Sequence, residues 1–310
     1  MNRKASGFTL TELMVALVLG LFVTGVTLNV YLSADKTARL NQQLTVLNEA
    51  TRSGYSLLAQ DIRRAGYSGC GNSVRLVNVA QDAVAGQNWA VWNDGIEGFE
   101  QPAPAFNGVT PNEAMDAIRL MFAAGRSYAV LNHDTAATSV QLNTSVGFAA
   151  GDLLLLCDET LSSIFVASAV ADDTVLHQLG AANCTSGLGF PLLCDGATGT
   201  VRQFSTNAVL MRLDSVSWYV ADSADGQALS LYRVLNNAEA EEVVYGVEDF
   251  QLAFISGPNQ IWQDADSVAD WADVLAVRVS LVLQSPPGME SELAAASRTL
   301  SYSVHLRNRG

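Results

Sequence analysis

Four cysteines, three histidines and one cluster of aspartates are the side chains here whose types suit metal or bond-making chemistry. Cys70, Cys157, Cys184 and Cys194 form no C-x-x-C pair, and His133, His177 and His305 are scattered, so their spacing argues against zinc. Asp264, Asp266, Asp270 and Asp273 offer the hard oxygen ligands that calcium takes. The spacing fails the calcium-loop pattern, because Val268 stands where Asp or Asn is needed and no glycine follows. A solvated acidic loop is the better reading, and no metal is assigned. There is no G-x-S-x-G, no H-E-x-x-H and no phosphate-binding P-loop. No catalytic residue and no cofactor are therefore expected. What remains is Glu12, one carboxylate near the start of the apolar run GFTLTELMVALVLG, Gly7–Gly20.

The element that carries Glu12 reads as a membrane segment. From Leu13 to Leu32 no residue is charged, and the next charge is Asp35. Twenty residues of helix span about 30 Å, the thickness of a hydrocarbon core. Arg3 and Lys4 precede the run, which keeps the first residues cytoplasmic and puts the rest of the chain across the membrane. A cleaved secretory signal is the competing reading. The apolar run is longer than such signals use, and only Leu32-Ser33-Ala34 resembles a cleavage site. The helical pattern also continues: Leu40, Leu44, Leu47, Thr51, Tyr55, Leu58 and Ile62 recur at intervals of three and four. Arg63-Arg64-Ala65-Gly66 then supplies a basic last turn and a C-cap glycine. One helix over Thr9–Ala65 is predicted, about 85 Å long, apolar all round in its first half and amphipathic in its second.

Beyond Gly66 the period falls to two. Leu300, Tyr302, Val304 and Leu306 alternate with polar residues, and Leu275, Val277, Val279, Leu281 and Leu283 repeat at every second position. Further strands are predicted at Ala117–Ala123, Leu153–Cys157, Ile164–Ala169, Ala208–Val220, Ala228–Leu235, Val243–Tyr245 and Phe250–Phe254, with a hairpin turn at Ser223–Gly226 and a short helix at Asn112–Met115. Residues 71–115 and 171–206 read as irregular, rich in Gly, Asn, Ala and Thr. Trp89, Trp92 and Phe99 suit either a partner anchor or a satellite core, and the core is favoured. The fold class is α+β: a long N-terminal helix packed on a mostly antiparallel sheet with loop-rich insertions.

Net charge is −14, unevenly spread: residues 1–70 hold seven Lys/Arg and four Asp/Glu, residues 71–310 ten and twenty-seven. An acidic head does not suit nucleic acid. Four cysteines allow three pairings, and export to an oxidising compartment favours disulfides over free buried thiols. Cys184 and Cys194 flank the short loop TSGLGFPLL. Closing it would restrict the unfolded chain by roughly 2.5–3 kcal/mol. That pairing is favoured, which leaves Cys70 with Cys157.

Met1–Gly7 followed by FTLTELMVAL resembles a type IV prepilin leader and the start of its mature chain. LLAQDIRRAGYSGC (Leu57–Cys70), WADVLAVRVSLVL (Trp271–Leu283) and the tail His305–Arg309 resemble minor pilins of the PilW type, while residues 71–270 match nothing quotable. The resemblance implies a leader at 1–7, a helix at 8–65 with its membrane and assembly half at 8–32 and its amphipathic half at 33–65, and a head at 66–310. It implies cleavage by a prepilin peptidase between Gly7 and Phe8, N-methylation of Phe8, and an assembly role for Glu12 against the amino end of a neighbouring helix. Many major pilins carry a proline in this helix, whereas this chain has none before Pro102, and Gly20 and Gly25 are its weak points. The implied function is a minor pilin that primes a type IV pilus and sits at or near its tip. Its partners would be other minor pilins, the major pilin, the inner-membrane assembly platform and a PilY-type tip adhesin. A pseudopilin of a type II secretion system is the alternative, and a membrane-anchored periplasmic enzyme fits less well.

Overall fold

A computed structural model describes residues 9–71, 75–80, 88–180, 182–194, 199–236, 238–257, 260–284 and 298–309; the side chains at 40, 43, 44, 46–48, 50 and 298 lie outside that set. Gly7 and Phe8 also lie outside it, as do the side chains of Leu40, Leu44 and Leu47 from the predicted stripe. Helix α1 runs over Leu10–Arg64, close to the predicted span. Thr9 is its N-cap, with its carbonyl accepting Leu13 N–H at 3.2 Å. At the other end Gly66 adopts φ 75°, the left-handed conformation that closes a helix. The described residues divide into two compact units, 9–52 and 53–309.

In the first unit every side chain from Leu10 to Ala34 is exposed. The stretch Leu10–Arg39 is long and apolar enough to cross a membrane. Its polar side chains satisfy themselves locally. Thr24 Oγ1 donates to Gly20 O at 2.6 Å, Thr27 Oγ1 to Val23 O at 3.0 Å and Asn29 Nδ2 to Gly25 O at 2.9 Å. A donor that bonds its own helix meets lipid at reduced cost.

The second unit packs residues 53–64 of α1 with two sheets. Its strands are β1 (Arg75–Asn78), β2 (Ile96–Phe99), β3 (Ala117–Asp134), β4 (Ser139–Leu142), β5 (Leu153–Cys157), β6 (Leu161–Val166), β7 (Ala169–Ala171), β8 (Thr174–Leu176), β9 (Val209–Asp222), β10 (Leu229–Leu235), β11 (Glu241–Tyr245), β12 (Val247–Ser256), β13 (Ile261–Gln263), β14 (Val274–Leu283) and β15 (Arg298–His305). The larger sheet has the order β1-β6-β5-β9-β3-β4-β8-β7, with β10 and β2 added on β9 and β3, and β11 on β10. Among its described pairings only β1 with β6 is parallel. The smaller sheet is β13-β12-β14-β15. In β14 the predicted alternation holds from Val277 on, with Val277, Val279, Leu281 and Leu283 buried and Arg278 exposed, but it fails at the start, where Ala276 is buried and Leu275 only half-buried. The β9–β10 hairpin turns where predicted, with Gly226 N–H donating to Ser223 O at 2.9 Å.

Several expectations fail for identifiable reasons. Asn112–Met115 is a turn closed by Met115 N–H to Asn112 O, not a helix. The predicted strand Ile164–Ala169 straddles the end of β6 and the start of β7. β6 begins earlier because Ser162 and Ser163 are buried, and Ser163 Oγ donates to Leu188 O at 2.6 Å. The segments 71–115 and 171–206 contain β1, β2 and β8, strands of three or four residues that are too short to show a period. Trp89 and Trp92 pack against a core cluster built on Met121, Leu155 and Met211, and Phe99 packs with Phe106 and Tyr219, so all three serve the core.

Candidate functional site

Two regions bear on function, one in each unit. In the first, Thr-Leu-Thr-Glu forms a capping box. Thr9 N–H and Thr9 Oγ1 both donate to Glu12 Oε2, at 3.1 and 2.9 Å, and Glu12 N–H approaches Thr9 Oγ1 at 3.4 Å. An N-cap threonine and a glutamate three residues on satisfy each other's backbone donors. The acid therefore does complement the helix start. Both bonds from Thr9 fall on Oε2, and Oε1 receives none from the described residues.

In the second unit the end of α1 is locked by side chains distant in sequence. Leu58, Ile62 and Ala65 are buried, and Asp61 lies on the same face with 4% exposure. Its carboxylate accepts Trp218 Nε1 of β9 at 3.1 Å and Arg233 Nε of β10 at 2.9 Å. Arg64 stacks 4.1 Å over the Phe122 ring. A Cβ on Gly95 would sit 2.5 Å from Gly66 Cα, so two backbones touch where only glycine fits. The final carbonyls of a helix need donors, and the C-terminal tail provides them. Arg307 N–H reaches Arg63 O at 3.2 Å; Asn308 Nδ2 reaches Arg64 O and Ala65 O at 3.3 and 3.4 Å. Arg309 donates to Trp271 O and Asp94 O. The sequence had marked the tail and the helix end separately, and the structure joins them. Asp61, Trp218 and Arg233 escaped sequence reasoning, although an acid one step before Ile62 on the apolar stripe was the available signal.

Cys70 is bonded to Cys157 of β5, and Cys184 to Cys194. The first bond ties the chain just past α1 to the large sheet. Of the aspartates in 264–273, Asp270 is used locally: its Oδ1 accepts Ala272 N–H at 2.9 Å and caps a short 3-10 turn. Among the described residues no three His, Cys, Asp or Glu side chains converge as a metal site would require. Two of the histidines read as scattered do meet: His133 and His177 face each other, Nε2 to Nε2 at 3.0 Å.

Comparison with known proteins touches both ends of the chain. Residues 2–28 match the model of the prokaryotic N-terminal methylation motif. Residues 217–307 match that of the type IV pilus-assembly protein W, PilW. The second match starts well before Trp271, so the similarity reaches further into the head than the quoted motifs did, while Leu57–Cys70 lies outside both. No curated protein and no solved structure matches. An N-terminal methylation motif on an exposed apolar helix, followed by a sheet-rich head ending in a PilW match, supports a membrane-anchored type IV pilin of the PilW type.

Proposed function

We propose that this minor pilin primes type IV pilus assembly and is placed at or near the pilus tip. A prepilin peptidase cuts between Gly7 and Phe8 and the new amino terminus on Phe8 is methylated. The anchored chain then docks by its apolar helix against other minor pilins, the major pilin and the inner-membrane platform, with a PilY-type tip adhesin as a further partner. One observation carries the reading: the helix surface from Leu10 to Ala34 is wholly exposed and bears one carboxylate, Glu12, whose Oε1 accepts no hydrogen bond from the described residues. A lone carboxylate costs several kcal/mol in lipid unless neutral or paired. Pairing Glu12 with a neighbour's amine offsets that cost and selects one register.

The test is complementation of a deletion strain with wild type, Glu12→Ala and Glu12→Gln. Both variants should be processed like wild type yet fall at least about tenfold in sheared pili, equivalent to ~1.4 kcal/mol. The deletion itself should remove surface pili and leave protein secretion intact. Wild-type incorporation of Glu12→Ala would overturn the assembly role. Blocked secretion with normal pili would favour a type II pseudopilin, which shares the amino-terminal logic.

A further inference from the structure

We propose that His133 and His177 form an acid-sensitive clasp, which holds the chain around Ser186 and Phe204 against β3 at neutral pH and loosens it as the pH falls. Both rings are buried, 2% and 1% exposed. Phe204 N–H donates to His133 Nδ1 at 3.0 Å, and His177 Nδ1 lies 3.1 Å from Ser186 O. A backbone N–H can only donate and a carbonyl only accept, so these neighbours assign the protons. His133 Nδ1 must be bare and its proton on Nε2. His177 must carry its proton on Nδ1 and leave Nε2 bare. The two Nε2 atoms, 3.0 Å apart, then make one hydrogen bond from His133 to His177. The chain Phe204–His133–His177–Ser186 is complete only while both rings are neutral.

A further proton has no place to go without breaking it. On His177 Nε2 it would set two N–H groups face to face. On His133 Nδ1 it would confront Phe204 N–H. A metal ion between the rings meets the same obstacle, because baring His133 Nε2 moves its proton to Nδ1. The surroundings offer limited relief. Asp134, next on β3, favours a charged His133 but is outweighed by burial, which pushes that imidazole down. Burial, reinforced by His133, lowers His177 from the ordinary 6.5 to about 4. From β6 the Phe165 ring packs on His177, and the Phe204 ring packs on His133. Arg202, on the segment carrying Phe204, is paired with Asp158 at 2.8 Å.

The sign follows from these directions. Below about 6.5 the opened state binds more protons than the closed one, so the clasp is fully formed above that value and weakens as pH falls toward 4. The clasped chain contains the Cys184–Cys194 bond and exposes Phe190, Leu193 and Val201, so acid alters how those apolar side chains are presented. A neighbouring tether is insensitive to pH: Asn183 Oδ1 accepts Val166 N–H at 2.8 Å while its Nδ2 donates to Val166 O at 2.7 Å. Whole-molecule melting would mix the clasp with Asp116, whose carboxyl burial raises to about 6 and which acts in the opposite sense over the same range. A local readout is needed.

Hydrogen exchange by mass spectrometry on the full chain in detergent micelles supplies it, with protection corrected for intrinsic rates at pH 7 and pH 5. Protection of the peptide containing Phe204 should fall about 20-fold at pH 5, as one histidine shifted in this way requires, while the peptide containing Val166 holds. In the variant H133Q/H177Q the difference between the two pH values should vanish. Unchanged Phe204 protection in wild type, an equal fall at Val166, or a fall that persists in the folded variant would overturn the clasp. If the variant does not fold, the wild-type contrast between the two peptides decides.

Discussion

Asp61 shows how one side chain holds the helix to the head. It is a buried acid with two donors on two strands, Trp218 and Arg233. Removing one member of such a pair leaves the other charge buried without compensation, which costs more than the pair contributes. Asp61→Ala should therefore destabilise the chain by about 3 kcal/mol or more. Asp61→Asn should cost less, because its amide oxygen still accepts Trp218 N–H. Denaturant unfolding of the full chain in detergent, followed by tryptophan fluorescence, measures both; equal small losses would show that the pair is incidental. Asp35 and Arg39 make an ion pair of similar length, 2.9 Å, but both side chains are well exposed, and water screens such a pair to little consequence. Glu12 belongs to neither case. Its bonds to Thr9 organise the helix start, and its carboxylate is what the proposed assembly step uses.

At the scale of elements, the end of α1 depends on a segment more than two hundred residues away. Deleting residues 307–310 strips donors from Arg63, Arg64 and Ala65 and should cost about 2–4 kcal/mol, with Asn308→Ala costing about 1. Exchange protection of the peptide spanning 60–66 should fall in step, and unchanged protection would mean that other groups cap the helix. The helix itself was legible, since a three-four period and a terminal glycine mark its course and its stop. So was the alternation in β14 and β15. The capping box was equally readable in Thr9-Leu10-Thr11-Glu12. β3 was underestimated, because Ala124-Gly125-Arg126 breaks the apolar run while the strand continues to Asp134. β1, β7 and β8 gave no signal, being three or four residues long; β1 is held by β6 and β8 by β4, strands remote in sequence, while β7 rests on β8. His133 and His177 stand on separate elements, and no local pattern announces a contact that only the sheet order creates.

For the molecule as a whole, the parts that match family models lie toward its two ends. Residues 2–28 and 217–307 match known families. The described part of the stretch between them holds both disulfides and the histidine pair. Oxidised cysteines suit a head outside the cytoplasm, and an acidic head, with ten basic against twenty-seven acidic residues beyond position 70, suits solubility there. The central claim is that the anchor is trimmed once, retained and carried into a fibre. Mass spectrometry of the amino-terminal peptide of this protein, recovered separately from the membrane, sheared-pilus and soluble extracytoplasmic fractions, tests it directly. The account predicts a chain that begins at N-methylated Phe8 and retains the whole apolar helix. A chain that begins near Asp35 and is recovered free of both membrane and pili would contradict it.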